Sequence, residues 1–287
     1  MSGGSRNARM VASFGAWLAE EGRSDLTIRA YTFELEHLTA WAGARSLARL
    51  GTEDLYSYLE SRAQASDTPA THNVRVAAIR KFCAWLVREG LSRGNAAVEL
   101  HGQHATRPPV QYLPREAVRR VLEVLHGHLR DTAMFLLVLS TGVRLMELVR
   151  LDREDFEADG EGAEVEVHAP AGRLRRVYPS HQATDAVVDY LETRRDEAVP
   201  LFISRAGARL APRTVQGGFA GHFREAGVSG SMQTLRHTFG VHRAQSGVDS
   251  HDLQELMGYR TFESTRVYRA SDPSRLREVA QRTEERY

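Results

Sequence analysis

Residues 132–148 read Thr-Ala-Met-Phe-Leu-Leu-Val-Leu-Ser-Thr-Gly-Val-Arg-Leu-Met-Glu-Leu, and the fold of this half of the chain turns on that stretch. From Thr132 to Ser140 nearly every side chain is apolar, so the segment has no polar face to offer water. A helix of that kind belongs in the middle of its domain. Gly142 ends it and Arg144 opens the next helix, with Glu147 three positions on as an ion-pair neighbour.

Upstream, Leu113-Pro114-Arg115-Glu116 starts a helix. Before it, His101 to Tyr112 lacks periodicity and holds the pair Pro108-Pro109, which reads as an interdomain linker. Downstream, Ala163 to His168 alternates, Pro170-Ala171-Gly172 can turn, and Arg173 to Tyr178 runs back as a second strand. This is the only β-like stretch in the reading. A helix follows from about Ala183 to Arg195, Leu201–Ile203 is a short apolar piece, and the remainder is helical in blocks punctuated by glycines.

The first hundred residues carry helical periodicity alone. Val11, Phe14, Trp17 and Leu18 share one face, and Ile28, Tyr31, Leu35, Leu38 and Trp41 another, behind Ser24-Asp25 as a cap. A third helix starts near a Thr52 cap, with Glu53 and Asp54 in its first turn, and a fourth opens at Thr68-Pro69. Gly43 and Gly90 are stop signals. The expectation is a mainly α protein. An all-α domain spans residues 1–100, a linker 101–112, and a mostly helical α+β domain with a small antiparallel sheet 113–287.

A chain of 287 residues exceeds the usual single-domain size, and either half is long enough to bury a core. Apolar residues at 42% and charged residues at 26% are ordinary for a globular protein. No run of 18 uncharged apolar residues occurs, and no apolar region follows Arg6 and Arg9, so neither a membrane span nor a secretory signal is expected. Cys83 stands alone, which excludes an internal disulfide and a cysteine zinc site and fits the cytoplasm. His222, His242 and His251 show no metal-ligand spacing. A net charge of +1 does not itself mark a nucleic-acid partner. Lys81 is the only lysine among 38 basic residues, so any phosphate contact falls mostly to guanidinium groups. The fourth helix concentrates Arg75, Arg80, Lys81 and Arg88 against the single acid Glu89, a solvated face or a basic one.

Three segments then stand in order: Thr141-Gly142-Val143-Arg144-Leu145-Met146-Glu147-Leu148, Gln233-Thr234-Leu235-Arg236-His237-Thr238, and Leu256-Met257-Gly258-Tyr259 with Tyr268 nine residues further on. Arg236 precedes Tyr259 by 23 residues. These segments resemble the signature boxes of the tyrosine recombinases, a family that includes the phage integrases and the Xer chromosome-dimer resolvases. Ser24 to Tyr31 also resembles the opening of that family's core-binding domain, and Asn95 sits where it usually ends. The resemblance runs from about residue 8 to residue 270.

It implies an enzyme that cuts duplex DNA without metal, nucleotide or other cofactor. Tyr268 would attack the scissile phosphate and form a 3′-phosphotyrosyl link, while Arg144 and Arg236 would stabilise charge on the phosphate oxygens. Arg75, Arg80, Lys81 and Arg88 become DNA contacts from the core-binding domain. The active assembly would be a homotetramer on DNA or a complex with a partner recombinase. The charged segment 274–287 would either dock on a neighbouring protomer or lie in solvent.

The helper positions depart from the family pattern. Gln233 replaces the second-box histidine, Tyr259 replaces the histidine of L-G-H, and the hairpin offers Arg173, or comparably Arg175, in place of lysine. Glutamine cannot shuttle a proton at neutral pH, and arginine holds its own too tightly. His237 offers no obvious rescue, because side chains adjacent along a helix point about 100° apart. Two readings remain in view, a site-specific recombinase and a catalytically impaired relative that binds recombination sites. A helical transcription factor without phosphoryl-transfer chemistry is a more distant third.

Overall fold

The computed structural model describes residues 3–63, 68–103, 109–159, 162–168, 174–259, 261 and 263–269. The chain divides into two compact units, Met1–Arg107 and Pro108–Tyr287. Among the described residues no helix is long and apolar enough to cross a membrane.

In the first unit the helices are α1 (Gly3–Glu20), α2 (Asp25–Ala42), α3 (Thr52–Ala63) and α4 (Pro69–Arg88). Their starts follow from local chemistry. Ser24 accepts from the Thr27 amide, and Thr68 accepts from the Thr71 amide just ahead of Pro69. Thr52 behaves differently from the expected cap. Its hydroxyl donates to the Ala96 carbonyl, while the Asp54 carboxylate accepts from the Gly51 amide. Phe14, Leu18, Leu35, Leu38, Tyr58, Ile79, Phe82 and Trp85 form the core, with Phe14 edge-on to Phe82 at 5.3 Å between centroids.

That core corrects one expected DNA contact. Arg75 is 1% exposed, and its Nε donates to the Glu34 carboxylate at 2.7 Å. The guanidinium is a buried structural partner on the inner face of α4 and is not presented to a phosphate. Arg80 lies on the exposed face. Lys81 and Arg88 sit over the Trp17 ring at 4.8 and 5.2 Å, and Arg88 also approaches Glu21 and Glu89. The first end of the expected linker is engaged as well. Asn73 exchanges two hydrogen bonds with the backbone of Gln103.

The second unit contains α5 (Arg115–Val124), α6 (Leu129–Thr141) and the single turn α7 (Leu145–Leu148). Strands β1 (Phe156–Asp159), β2 (Gly162–His168) and β3 (Leu174–Val177) follow, then α8 (His181–Glu192), α9 (Pro212–Glu225), α10 (Met232–Gln245), α11 (Ser250–Met257) and α12 (Glu263–Arg269). As its composition demands, α6 is central, with Ala133 through Val138 all buried. The sheet is antiparallel in the order β1-β2-β3, with Phe156 opposite Val165 and Val165 opposite Val177. Strand β1 escaped the sequence reading because only Phe156 of its four residues is buried. Arg173 and the segment 274–287 lie outside the described residues.

Candidate active site

The site is built where α6 ends. Gly142 caps that helix in the left-handed conformation, with φ at 66°, and a Cβ there would stand 2.5 Å from the Phe239 ring. The chain can therefore reverse tightly against α10 only with glycine at this position. Two residues later Arg144 is extended and becomes the N-cap of α7. The Glu147 carboxylate turns back to accept from the Arg144 amide at 2.8 Å, an N3 acid satisfying the N-cap donor.

Glu147 organises the cations around it. It accepts from Arg144 Nη1 at 2.7 Å and from both Nη atoms of Arg175 at 2.9 and 2.8 Å. Burial pushes its carboxyl pKa up, but the hydrogen bonds and charge of Arg175, with those of Arg144, outweigh it and hold the group at about 2. Arg144 keeps Nη2 on the Gly258 carbonyl at 3.0 Å. Gly258 has φ of 62°, and a Cβ there would press on the Arg175 guanidinium at 3.0 Å.

Arg236 comes from the first turns of α10 and is 2% exposed. Its two Nη atoms donate to the carbonyls of Gly142 and Met257, clamping the end of α6 to the end of α11. Burial lowers its pKa, yet a guanidinium keeps its proton at neutral pH. The Tyr259 ring lies beneath both arginines, 4.9 Å from Arg236 and 5.7 Å from Arg144. A cavity of about 180 Å³ opens beside them, lined by Arg144, Gln233, Arg236, Gln216 and Ser231. Its donors are two fixed cations and a side-chain amide at the start of a 14-residue helix, a setting for a multiply oxygenated anion.

Tyr268, on α12, approaches the two arginines from the side of Tyr259. It is fully buried, and its hydroxyl meets the Tyr259 hydroxyl at 2.7 Å and His237 Nδ1 at 3.0 Å. The ring lies against α10 because residue 240 is glycine: a Cβ there would fall 2.7 Å from Tyr268 Cε1. Burial and the bond to Tyr259 raise the Tyr268 pKa above its ordinary value, against the lowering pull of Arg236 and Arg144.

Arg144, Arg236, Tyr259 and Tyr268 thus come together, with Gln233 at the cavity edge. Three further residues contribute: Arg175, expected only as the alternative to Arg173, Glu147, expected only as the local partner of Arg144, and His237, not expected at the site. Arg175 occupies the site as the buried guanidinium of the hairpin, because it lies two residues from the buried Val177 on the same face of β3. Glu147 joins Arg144 to Arg175 as well as pairing locally. His237 touches the Tyr268 hydroxyl, although its place next to Arg236 along the helix argues against a shared direction. The relevant neighbour is Gln233 one turn back, whose amide nitrogen lies 3.1 Å from His237 Nε2, rather than the adjacent Arg236. Elsewhere, Asp155, Glu166 and His168 gather potential metal-ligand atoms within 4.8 Å of one another near the sheet. His168 Nε2 and Asp155 Oδ1 already lie 3.1 Å apart, and the cluster shares no residue with the Tyr268 site.

Two guanidinium groups lie over the Tyr259 ring, and the Tyr268 hydroxyl meets both the Tyr259 hydroxyl and the His237 imidazole, so cations suited to an anion stand near a buried phenol oxygen. The family model for the phage integrase family matches residues 111–275, and that for the phage integrase N-terminal SAM-like domain matches residues 11–90. Tyrosine recombinase XerC of Shewanella amazonensis is 30% identical over 283 residues, covering 95% of this chain and 94% of that protein. Tyrosine recombinase XerA of Thermococcus kodakarensis is 28% identical over 278 residues, covering 95% and 94%. Among solved structures, the XerH site-specific recombinase in its post-cleavage complex with palindromic difH substrate superposes with a TM-score of 0.76. It is 18% identical, over 90% of this chain and 80% of that one. A lambda integrase dimer bound to a COC′ core site gives 0.74 at 15% identity, over 91% and 76%. At those identities the structural likeness speaks for the fold. The chain belongs to the phage integrase family and is of the Xer type of tyrosine recombinase.

Proposed function

We propose that this protein is a site-specific recombinase that cuts and rejoins duplex DNA through Tyr268. One observation carries the reading: the Tyr268 hydroxyl is bonded to Tyr259, whose ring underlies both Arg144 and Arg236. A phosphodiester drawn to the adjoining cavity meets two fixed positive charges and has a nucleophile nearby.

In the reaction the Tyr268 oxygen bonds to phosphorus as the bond from phosphorus to the 5′-oxygen breaks. The products are a 3′-phosphotyrosyl link and a free 5′-hydroxyl, and attack by a 5′-hydroxyl from a partner strand reverses the step. Arg144 and Arg236 stabilise the extra negative charge on the non-bridging oxygens, held in place by Glu147 and by backbone carbonyls rather than by flexible contacts. Arg175 reinforces Arg144 through their shared carboxylate. In the first unit Arg80, Lys81 and Arg88 supply phosphate contacts, and Arg75 is reserved for the core. The reaction uses no metal or nucleotide, is carried out by a tetramer on DNA or with a partner recombinase, and takes place in the cytoplasm.

The test uses duplex DNA recovered from random sequence by binding to the Tyr268→Phe protein, nicked beside the cleavage position to trap the intermediate. Wild-type protein in EDTA should form an adduct that survives SDS and maps to Tyr268. Tyr268→Phe should bind equally and form none. Tight binding by wild type with no adduct on any nicked duplex rejects the proposal.

A further inference from the structure

The family's usual proton-handling residue is missing at Gln233, and something else must take the proton from Tyr268. Resting on the recombinase reading above, we propose that His237 is a catalytic residue, the general base for Tyr268, and that Gln233 sets its tautomer.

Geometry comes first. His237 Nδ1 is 3.0 Å from the Tyr268 oxygen, inside the reach a general base requires. The other group on that oxygen is the Tyr259 hydroxyl, and a phenol is a far weaker base than an imidazole. Arg144 and Arg236 are cations and cannot accept. The groups facing His237 are Tyr268 from α12, backed by Tyr259, and Gln233 and Arg236 from its own helix. None of these is a carboxylate. Burial, with the positive charge of Arg236, holds the imidazole below its ordinary pKa. It is therefore neutral and able to accept at pH 7, while Tyr268, raised by burial, keeps its proton until attack.

Gln233 decides which nitrogen is free. The amide nitrogen of Gln233 is placed at His237 Nε2, an arrangement that leaves the hydrogen on Nδ1, and the base role requires the half-turn that exchanges that nitrogen for the amide oxygen. With the oxygen toward Nε2, that nitrogen carries the hydrogen and Nδ1 presents its lone pair to Tyr268. On attack the Tyr268 proton passes to Nδ1, the oxygen–phosphorus bond forms, and the 5′-oxygen leaves and takes a proton from water. On resealing, the imidazolium returns its proton to the Tyr268 oxygen as that bond breaks. His237 is thus the i+4 replacement for the residue lost at 233, on the same helix face.

Single-turnover cleavage of the nicked duplex tests this. His237→Gln should bind DNA normally and cleave about 10²–10³-fold more slowly at pH 7. The wild-type rate should fall on the acid side as His237 protonates, and that limb should vanish in His237→Gln. A 5′-bridging phosphorothiolate, whose sulfur leaves without a proton, should not restore the variant. Gln233→Glu, an acceptor that favours the imidazolium, should move the acid limb to higher pH, a readout independent of how well His237→Gln folds. Cleavage by His237→Gln within threefold of wild type overturns the proposal, as does rescue by the phosphorothiolate, which would make His237 an acid. An unmoved acid limb in Gln233→Glu overturns the role of Gln233. Absence of a wild-type adduct removes the recombinase reading along with this one, whereas an adduct formed equally by both proteins removes only this one.

Discussion

Gly240→Ala separates the demands of the helix from those of the site. In an ordinary helix interior this change is favourable by about 0.5–1 kcal/mol, because alanine loses less conformational freedom on folding. At this position the added methyl would stand 2.7, 2.8 and 2.9 Å from Tyr268 Cε1, Cζ and Cδ1. Carbon atoms rest at about 3.5–4.0 Å, so the ring must recoil by roughly 1 Å. Overpacking of that kind costs about 1–3 kcal/mol, which the helix gain offsets in part, leaving a net loss of about 0–2.5 kcal/mol. Global stability should therefore fall by at most about 2.5 kcal/mol. The hydroxyl bonds of Tyr268 to His237 and Tyr259 should not survive the recoil, and a misplacement of about 1 Å costs on the order of 10²-fold in rate. Thermal unfolding and single-turnover adduct formation on nicked duplex read the two quantities separately. A melting temperature lowered by no more than about 10 °C, with cleavage down about a hundredfold, is the expected pair of results. Cleavage within threefold of wild type would show that the nucleophile does not rest against residue 240, and the site as described would fall with it.

Arg75→Ala should destabilise the first unit by about 3–5 kcal/mol, because it strands the Glu34 carboxylate in the core. Residual folded protein should keep its salt dependence of DNA binding, whereas Arg80→Ala should lower the slope by about one; the opposite pattern in a salt titration would return Arg75 to the DNA face. Glu147 is held at about 2 when folded against an ordinary 4.5, so its ionised form stabilises the native state by about 3 kcal/mol. That contribution is complete above pH 4.5 and fades as the pH falls toward 2. Acid unfolding of Glu147→Gln should lack this dependence, and an identical acid profile would contradict the arginine–carboxylate cluster. Tyr259→Phe loses one hydroxyl bond, worth about 1 kcal/mol or fivefold in cleavage, but keeps its ring under Arg144 and Arg236. Tyr259→Ala loses both and should be slower still, and equal rates for the two would deny the ring a role.

The helices, the caps at Ser24 and Thr68 though not the one expected at Thr52, and the buried character of α6 were legible in the sequence because each is set within a few residues. Ser24 and Thr68 cap as read, and a run such as Ala133 to Val138 has nowhere to lie but inside. Arg144, Arg236 and Tyr268 were legible too, through spacing that resembles a known family. Strand β1 was not, since one buried residue in four leaves no alternation to detect. The three-dimensional packing alone decided which side chains meet. It drew Arg75 onto Glu34 across 41 positions, Arg175 onto Glu147 across 28, and His237 onto Tyr268 across 31. Composition of α4 could not separate Arg75 from Arg80, because a basic helix face looks alike until a buried acid claims one residue. A periodic pattern states which way a side chain points from its own helix axis. What it meets there depends on which other element has packed against that face, and that is settled by the shape and charge of residues far away in the chain.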